Sequence, residues 1–195
     1  MAKFIFLPGL RIGSPLMKNV FSVDVEDYFQ VEAFAGTIDR ATWESRPLRV
    51  EANTERVLAL LDTHKVKGTF FVLGWVAKRL PHLVRRIAME GHEIASHGMS
   101  HRLVYSQTPE VFRQETLESK ALLEDQCQMP VIGYRAATYS VTNKSLWALD
   151  ILHEAGFQYD SSIFPVWHDK YGIPDAPRLP YRLKTPKGRD LVEFP

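Results

Sequence analysis

The chain has 195 residues, 45% of them hydrophobic and 24% charged, with a formal net charge of +1. This balance excludes disorder as the dominant state, and it offers no concentrated basic surface for nucleic acid. A single thiol, Cys127, excludes an internal disulfide, so nothing marks an oxidising compartment.

The opening stretch MAKFIFLPGLRIGSPLMK has only a short apolar run, stopped by Pro8-Gly9. It is too brief for a secretion signal, and no run reaches the ~18 apolar residues of a membrane span. Residues 1–16 are expected to be a leader of unclear role, with one domain over 17–195 and a cytoplasmic location.

Patterned sequence begins at Val20 to Val25 (VFSVDV), a strand by its β-branched and aromatic content. Helical spacing of Val57, Leu58 and Leu61 predicts a helix from Thr54 to His64, with Asn53 or Thr54 as its cap. Gly68 opens TFFVL, an apolar run that reads as a strand buried on both faces. Pro81 starts a second helix, closed by Gly91. His92 to Ala95 is a short strand. Thr108-Pro109 caps and starts a long helix to about Gln126. Val131 to Tyr134 is strand-like, Thr142 to Ala155 a helix, and Phe157 to Asp160 a strand. Pro165 to Pro180 reads as an aromatic-rich loop. Two short strands are expected near Tyr181–Leu183 and Leu191–Phe194. The β-α-β-α order predicts an α/β fold with a mostly parallel sheet, open or closed into a barrel. The chain stops at a strand, so the domain is expected to be incomplete at its C-terminus.

Three clusters could carry chemistry. Asp24, Glu26 and Asp27 place three carboxylates in four positions at the end of a hydrophobic strand. Carboxylates this close repel one another unless a cation or basic groups neutralise them. Alone, such a string is more often a solvated loop start. His97 and His101, in GHEIASHGMSH, have the i, i+4 spacing that suits one metal ion. Arg135, just past a buried strand, needs a carboxylate partner or solvent. Asp24, His97, Arg135 and Asp160 each follow a different predicted strand. That shared C-terminal edge is where parallel α/β folds build active sites. Two histidines and one carboxylate leave positions open on a metal, the mark of a catalytic site. His64, His82, His92 and His153 read as structural.

With SVDVEDYFQVEAF, GHEIASHGMSH, GYRAATYSVT and YDSSIFP in this order, the chain resembles the NodB-homology polysaccharide deacetylases, carbohydrate esterase family 4. Within it, the wording is similar to the branch of bacterial exopolysaccharide loci of the exosortase (PEP-CTERM) type. The resemblance runs from about Val20 to Pro195. It implies a distorted (β/α) barrel and metal-dependent removal of N-acetyl groups from the amino sugars of a polysaccharide. It implies a divalent metal, Zn²⁺ first with Co²⁺ or Mn²⁺ as alternatives, held by His97, His101 and either Glu26 or Asp27. By the same resemblance Asp24 is the base, Arg135 orients it, and a backbone N–H near Thr138 stabilises the oxyanion. Tyr139 and Trp167 are expected to touch the sugar.

The sequence departs from the family in three places. Asp24 and Asp27 are separated where the family's first motif has adjacent aspartates. Ala137 stands where proline is usual. No histidine follows His168, so the expected general acid is His168 or a residue beyond Pro195. Related readings are an amidohydrolase acting on a cyclic amide or on peptidoglycan, and a saccharide-binding protein without activity. Oligomeric state is not legible in the sequence.

Overall fold

The computed structural model describes residues 19–195; the expected leader lies outside them. Seven strands form one sheet: β1 (Ser22–Val25), β2 (Thr69–Val72), β3 (Glu93–Ser96), β4 (Gly133–Tyr134), β5 (Tyr159–Asp160), β6 (Tyr181–Lys184) and β7 (Asp190–Glu193). Their order is β1-β2-β3-β4-β5-β7-β6, parallel throughout except for the β6–β7 hairpin. Among the described residues five α-helices cover the outer face: α1 (Val50–Thr63), α2 (Gly74–Arg79), α3 (Pro81–Met89), α4 (Pro109–Cys127) and α5 (Trp147–Glu154). The alternating α/β order therefore gives the mostly parallel sheet expected of it.

The sheet curls strongly. Tyr159 on β5 donates its hydroxyl to Glu93 on β3 at 3.0 Å, and its ring meets Phe71 on β2. Arg135, one residue past β4, reaches Ser22 and Asp24 on β1. Among the described residues β1 and β6 are the sheet's two edges, with no ladder between them. Outward residues of the strands (Val25, Phe70, Val72, Ile94 and Tyr134) pack with Leu58, Leu83, Ile87, Leu123 and Leu152 of the helices into one core. Their complete burial explains the nearly continuous apolar reading of TFFV.

Two helix starts differ from the sequence reading, and one short helix is additional to it. α1 begins at Val50 rather than Thr54, because Asp27 Oδ2 accepts from the backbone N–H groups of Arg49 and Val50 at 2.7 and 3.0 Å. This cap comes from 22 residues upstream and leaves no local trace. α5 begins at Trp147 rather than Thr142. Ser145 Oγ accepts from Thr142 N–H and donates to the Ser140 carbonyl, closing a turn where the helix was expected. α2 was not anticipated; a six-residue helix is too short for a period. Cys127 is buried, and burial pushes its thiol pKa up.

Candidate metal centre and active site

The histidine loop follows β3 and is tied from three sides. Gly98 has φ +74, and Gly74 and Trp75 at the start of α2 donate their N–H groups to the carbonyls of Gly98 and Met99. A Cβ on Gly74 would lie 3.1 Å from Met99 Cα and 3.3 Å from the Gly98 carbonyl, a tight fit against backbone that glycine avoids. From α4, Ser119 meets Ser96 and Glu115 accepts from Ser100 Oγ. From the β1–α1 segment, Arg40 donates to the carbonyls of Ser100 and His101, the latter at 2.6 Å. His101 itself sits at φ 53, a left-handed backbone that a side chain pays to adopt. Arg40, packed over Trp43, is the device that holds it there.

These supports bring Glu26, His97 and His101 together; one ligand atom from each lies within 4.8 Å of the others. Glu26 Oε2 is 2.6 Å from His101 Nε2 and 3.8 Å from His97 Nε2. The same oxygen is buried and accepts no hydrogen bond among the described residues. His97 Nδ1 lies 2.9 Å from the Arg135 carbonyl. A carbonyl only accepts, so Nδ1 carries the proton and Nε2 presents a bare lone pair. Burial lowers the His97 pKa, which keeps the ring neutral. A neutral imidazole lone pair facing an unpaired carboxylate oxygen suits a cation between them. The residues present therefore fit a divalent metal.

Asp27, the other acid expected from the sequence, is engaged elsewhere. Its Oδ1 accepts from Tyr28 N–H while Oδ2 caps α1, and it lies outside the ligand cluster.

Beside the cluster stands the Asp24–Arg135 pair. Arg135 Nη1 donates to Asp24 Oδ1 at 2.8 Å. Its Nη2 donates to Ser22 Oγ and Ser161 Oγ at 3.1 and 3.0 Å, its Nε points to the Ser161 carbonyl, and its guanidinium covers the Phe71 ring. Such a cradle leaves the guanidinium one orientation. Ser22 and Ser161 carried no signal of their own in the sequence, and neither did Arg40.

Past Arg135 the chain turns sharply, with φ 54 at Thr138 and 49 at Tyr139. Tyr139 starts an aromatic shelf that runs through Phe164 and Tyr171 to His168, whose ring stacks on Tyr171 at 3.9 Å. Burial raises the Tyr139 pKa. His168 Nδ1 accepts from Lys170 N–H and faces Asp169, so its hydrogen-bond partners are within its own loop. Trp167 is 85% exposed.

Residues 35–159 match the family profile described as polysaccharide deacetylase. The chain belongs to the polysaccharide deacetylase family. The matched span contains His97, His101 and Arg135 and begins after Asp24 and Glu26. Among curated relatives, a chitooligosaccharide deacetylase of Bradyrhizobium is 32% identical over 99 residues, covering 51% of this chain and 43% of its own. A peptidoglycan-N-acetylglucosamine deacetylase of Bacillus cereus is 34% identical over 115 residues, covering 59% and 51%. This polysaccharide deacetylase family member thus spans about half the length of the curated relatives it matches. A solved structure from Mycobacterium smegmatis, assigned to the polysaccharide deacetylases, aligns with TM-score 0.68 and 29% identity over 89% of this chain and 56% of its own. A PuuE allantoinase structure aligns at TM-score 0.59 and 23% identity, covering 73% and 42%, and shares the fold. No helix among the described residues is long and apolar enough to cross a membrane.

Proposed function

We propose that this protein is a metal-dependent hydrolase that cleaves the acetamide C–N bond of amino sugars in a polysaccharide, releasing acetate and a free amine. The observation that carries the reading is the convergence of Glu26, His97 and His101 beside the Asp24–Arg135 pair. Glu26, His97 and His101 hold the metal, zinc first with cobalt or manganese as alternatives. When bound, a divalent cation supplies Lewis-acid polarisation of the acetyl carbonyl and a water of lowered pKa.

The chain's own groups do the rest. Asp24 takes the proton of the attacking water as general base. Arg135, locked by Ser22, Ser161 and Phe71, fixes the Asp24 carboxylate in one orientation. By the family resemblance, a backbone N–H near Thr138 would stabilise the developing oxyanion. A histidine returns a proton to the leaving amine, and His168 on the aromatic shelf is the candidate within this chain. Tyr139 and exposed Trp167 offer faces on which sugar rings stack. The named relatives act on chitooligosaccharide and on peptidoglycan N-acetylglucosamine. Those names, with the resemblance to exopolysaccharide-locus deacetylases, support an N-acetylated glycan of bacterial exopolysaccharide synthesis as substrate.

The test pairs elemental analysis of the purified protein with acetate release from N-acetylated chito-oligosaccharides, peptidoglycan and, as a contrast, allantoin. Stoichiometric metal and acetate release from a glycan are expected. Turnover of allantoin alone would move the chemistry to cyclic amides. Glycan binding without acetate would make the protein a saccharide-binding one.

A further inference from the structure

We propose that Glu193 is a positioning residue of this active site, acting through Ser162 to set the loop that carries Arg135. The inference rests on the deacetylase reading and extends it to a residue far from the metal ligands in sequence.

The strand register begins the argument. Asp160 on β5 stands opposite Glu193 on β7, and Tyr181 on β6 stands opposite Glu193 from the other side. Residues opposite one another on adjacent strands share a face. Both carboxyls are fully buried. Two ionised carboxylates side by side without water are not tolerable, whereas one shared proton satisfies both. Asp160 Oδ2 and Glu193 Oε2 are both buried and have no hydrogen-bond partner among the described residues. Burial and mutual repulsion raise the pKa of Glu193, and burial raises that of Asp160 to about 6. The ionisable and charged groups near the pair are Tyr181 from β6, Tyr134 at the end of β4, and Arg135.

The other two oxygens hold the chain that follows β5. Glu193 Oε1 accepts from the N–H groups of Ser162 and Ile163 at 3.1 and 2.9 Å. Asp160 Oδ1 accepts from Ser162 Oγ. Ser162 Oγ in turn accepts from Ala136 N–H at 2.8 Å, and Ser161 supplies the Oγ and carbonyl that hold Arg135. Glu193 is therefore joined by one residue to the backbone next to Arg135, and Arg135 is joined to Asp24. A buried acid pair is a costly way to fasten a strand, since apolar residues of similar volume would be as stable or more so. What an apolar pair lacks is acceptors for Ser162 and Ile163. The pair is suited to fixing a loop rather than to stabilising a sheet.

Three variants test this, read by kcat, KM for a glycan, metal content, and amide hydrogen exchange. Glu193→Ala removes the acceptors. Its kcat is expected to fall about 10- to 100-fold, as loss of an orienting partner does. Its KM and metal content stay parental, and exchange at Ala136 N–H speeds up. Glu193→Gln keeps an acceptor for Ser162 and Ile163 and offers Asp160 an amide N–H, so it recovers most of the lost rate and slows that exchange again. Ser162→Ala removes only a hydroxyl, and it repeats the loss in kcat if Glu193→Ala fails to fold. Parental kcat in a folded Glu193→Ala or in Ser162→Ala overturns the proposal. So does a loss confined to KM or to metal content. If the parent protein releases no acetate, the deacetylase reading fails separately; unchanged exchange at Ala136 would then still overturn the role of Glu193.

Discussion

His97 and Arg135 are joined by a 2.9 Å hydrogen bond between the imidazole Nδ1 and the Arg135 backbone carbonyl. One residue thus serves both halves of the site. Its carbonyl fixes the tautomer of a histidine in the proposed metal cluster, and its side chain holds Asp24.

The histidines give the most direct prediction. Substituting His97 or His101 with alanine removes one of three ligands and is expected to abolish tight metal binding, while the fold held by the helices remains. Metal content of purified variants, measured against circular dichroism as a check on folding, decides it. Stoichiometric metal in either variant would show that the ligand set is wrong.

Asp24 should behave in the opposite way. Asp24→Asn keeps the shape that Arg135 grips but cannot take a proton. Metal content should stay parental while the rate of acetate release drops by roughly 10²-fold or more, the scale of a general-base contribution. A variant with normal turnover would remove Asp24 from the chemistry.

The parts legible in the sequence were those written locally. TFFV is nearly continuous in apolar character because both of its faces are buried. Thr108 and Pro109 announce α4 because the cap hydroxyl and the first-turn proline act on their own helix; Thr108 Oγ1 accepts from Val111 N–H. The i, i+4 histidines were legible for the same reason. What the sequence hid depends on chain brought from a distance. Asp27 read as an alternative metal ligand to Glu26 because the helix it caps starts far away, at Val50. Arg40 carried no signal because the carbonyls it holds belong to Ser100 and His101. Glu193 read as one strand residue among others, because its partner Asp160 is set by register rather than by neighbourhood in sequence.

That contrast separates the two acids at positions 26 and 27. Asp27→Ala strips the acceptor from Tyr28, Arg49 and Val50 N–H groups. Loss of such a cap costs about 0.5–2 kcal/mol, with metal binding retained. Glu26→Gln should do the reverse, losing metal with little change in stability. Urea midpoints and metal content measured on the same two variants test the assignment. Metal loss in Asp27→Ala at parental stability would exchange the two roles.

The Asp160–Glu193 pair makes stability depend on pH in a predictable direction. Both acids have folded-state pKa values above their ordinary ones, Asp160 at about 6. A raised acid pKa means that the native state binds the proton more tightly than the unfolded chain. The pair's contribution is therefore fully present below the ordinary carboxyl range near ~4 and is lost as pH rises through about 6 and above. Other carboxylates run the opposite way. Glu154, held low chiefly by its hydrogen bond to Arg113, is one, so the total curve mixes both signs. A comparison with Glu193→Gln isolates the pair, because the variant has no shared proton to lose. The stability advantage of the parent over Glu193→Gln should shrink as pH is raised from 5 to 8. Chemical denaturation across that range measures it, and an advantage that grew with pH would mean that the two carboxyls are ionised in the folded protein.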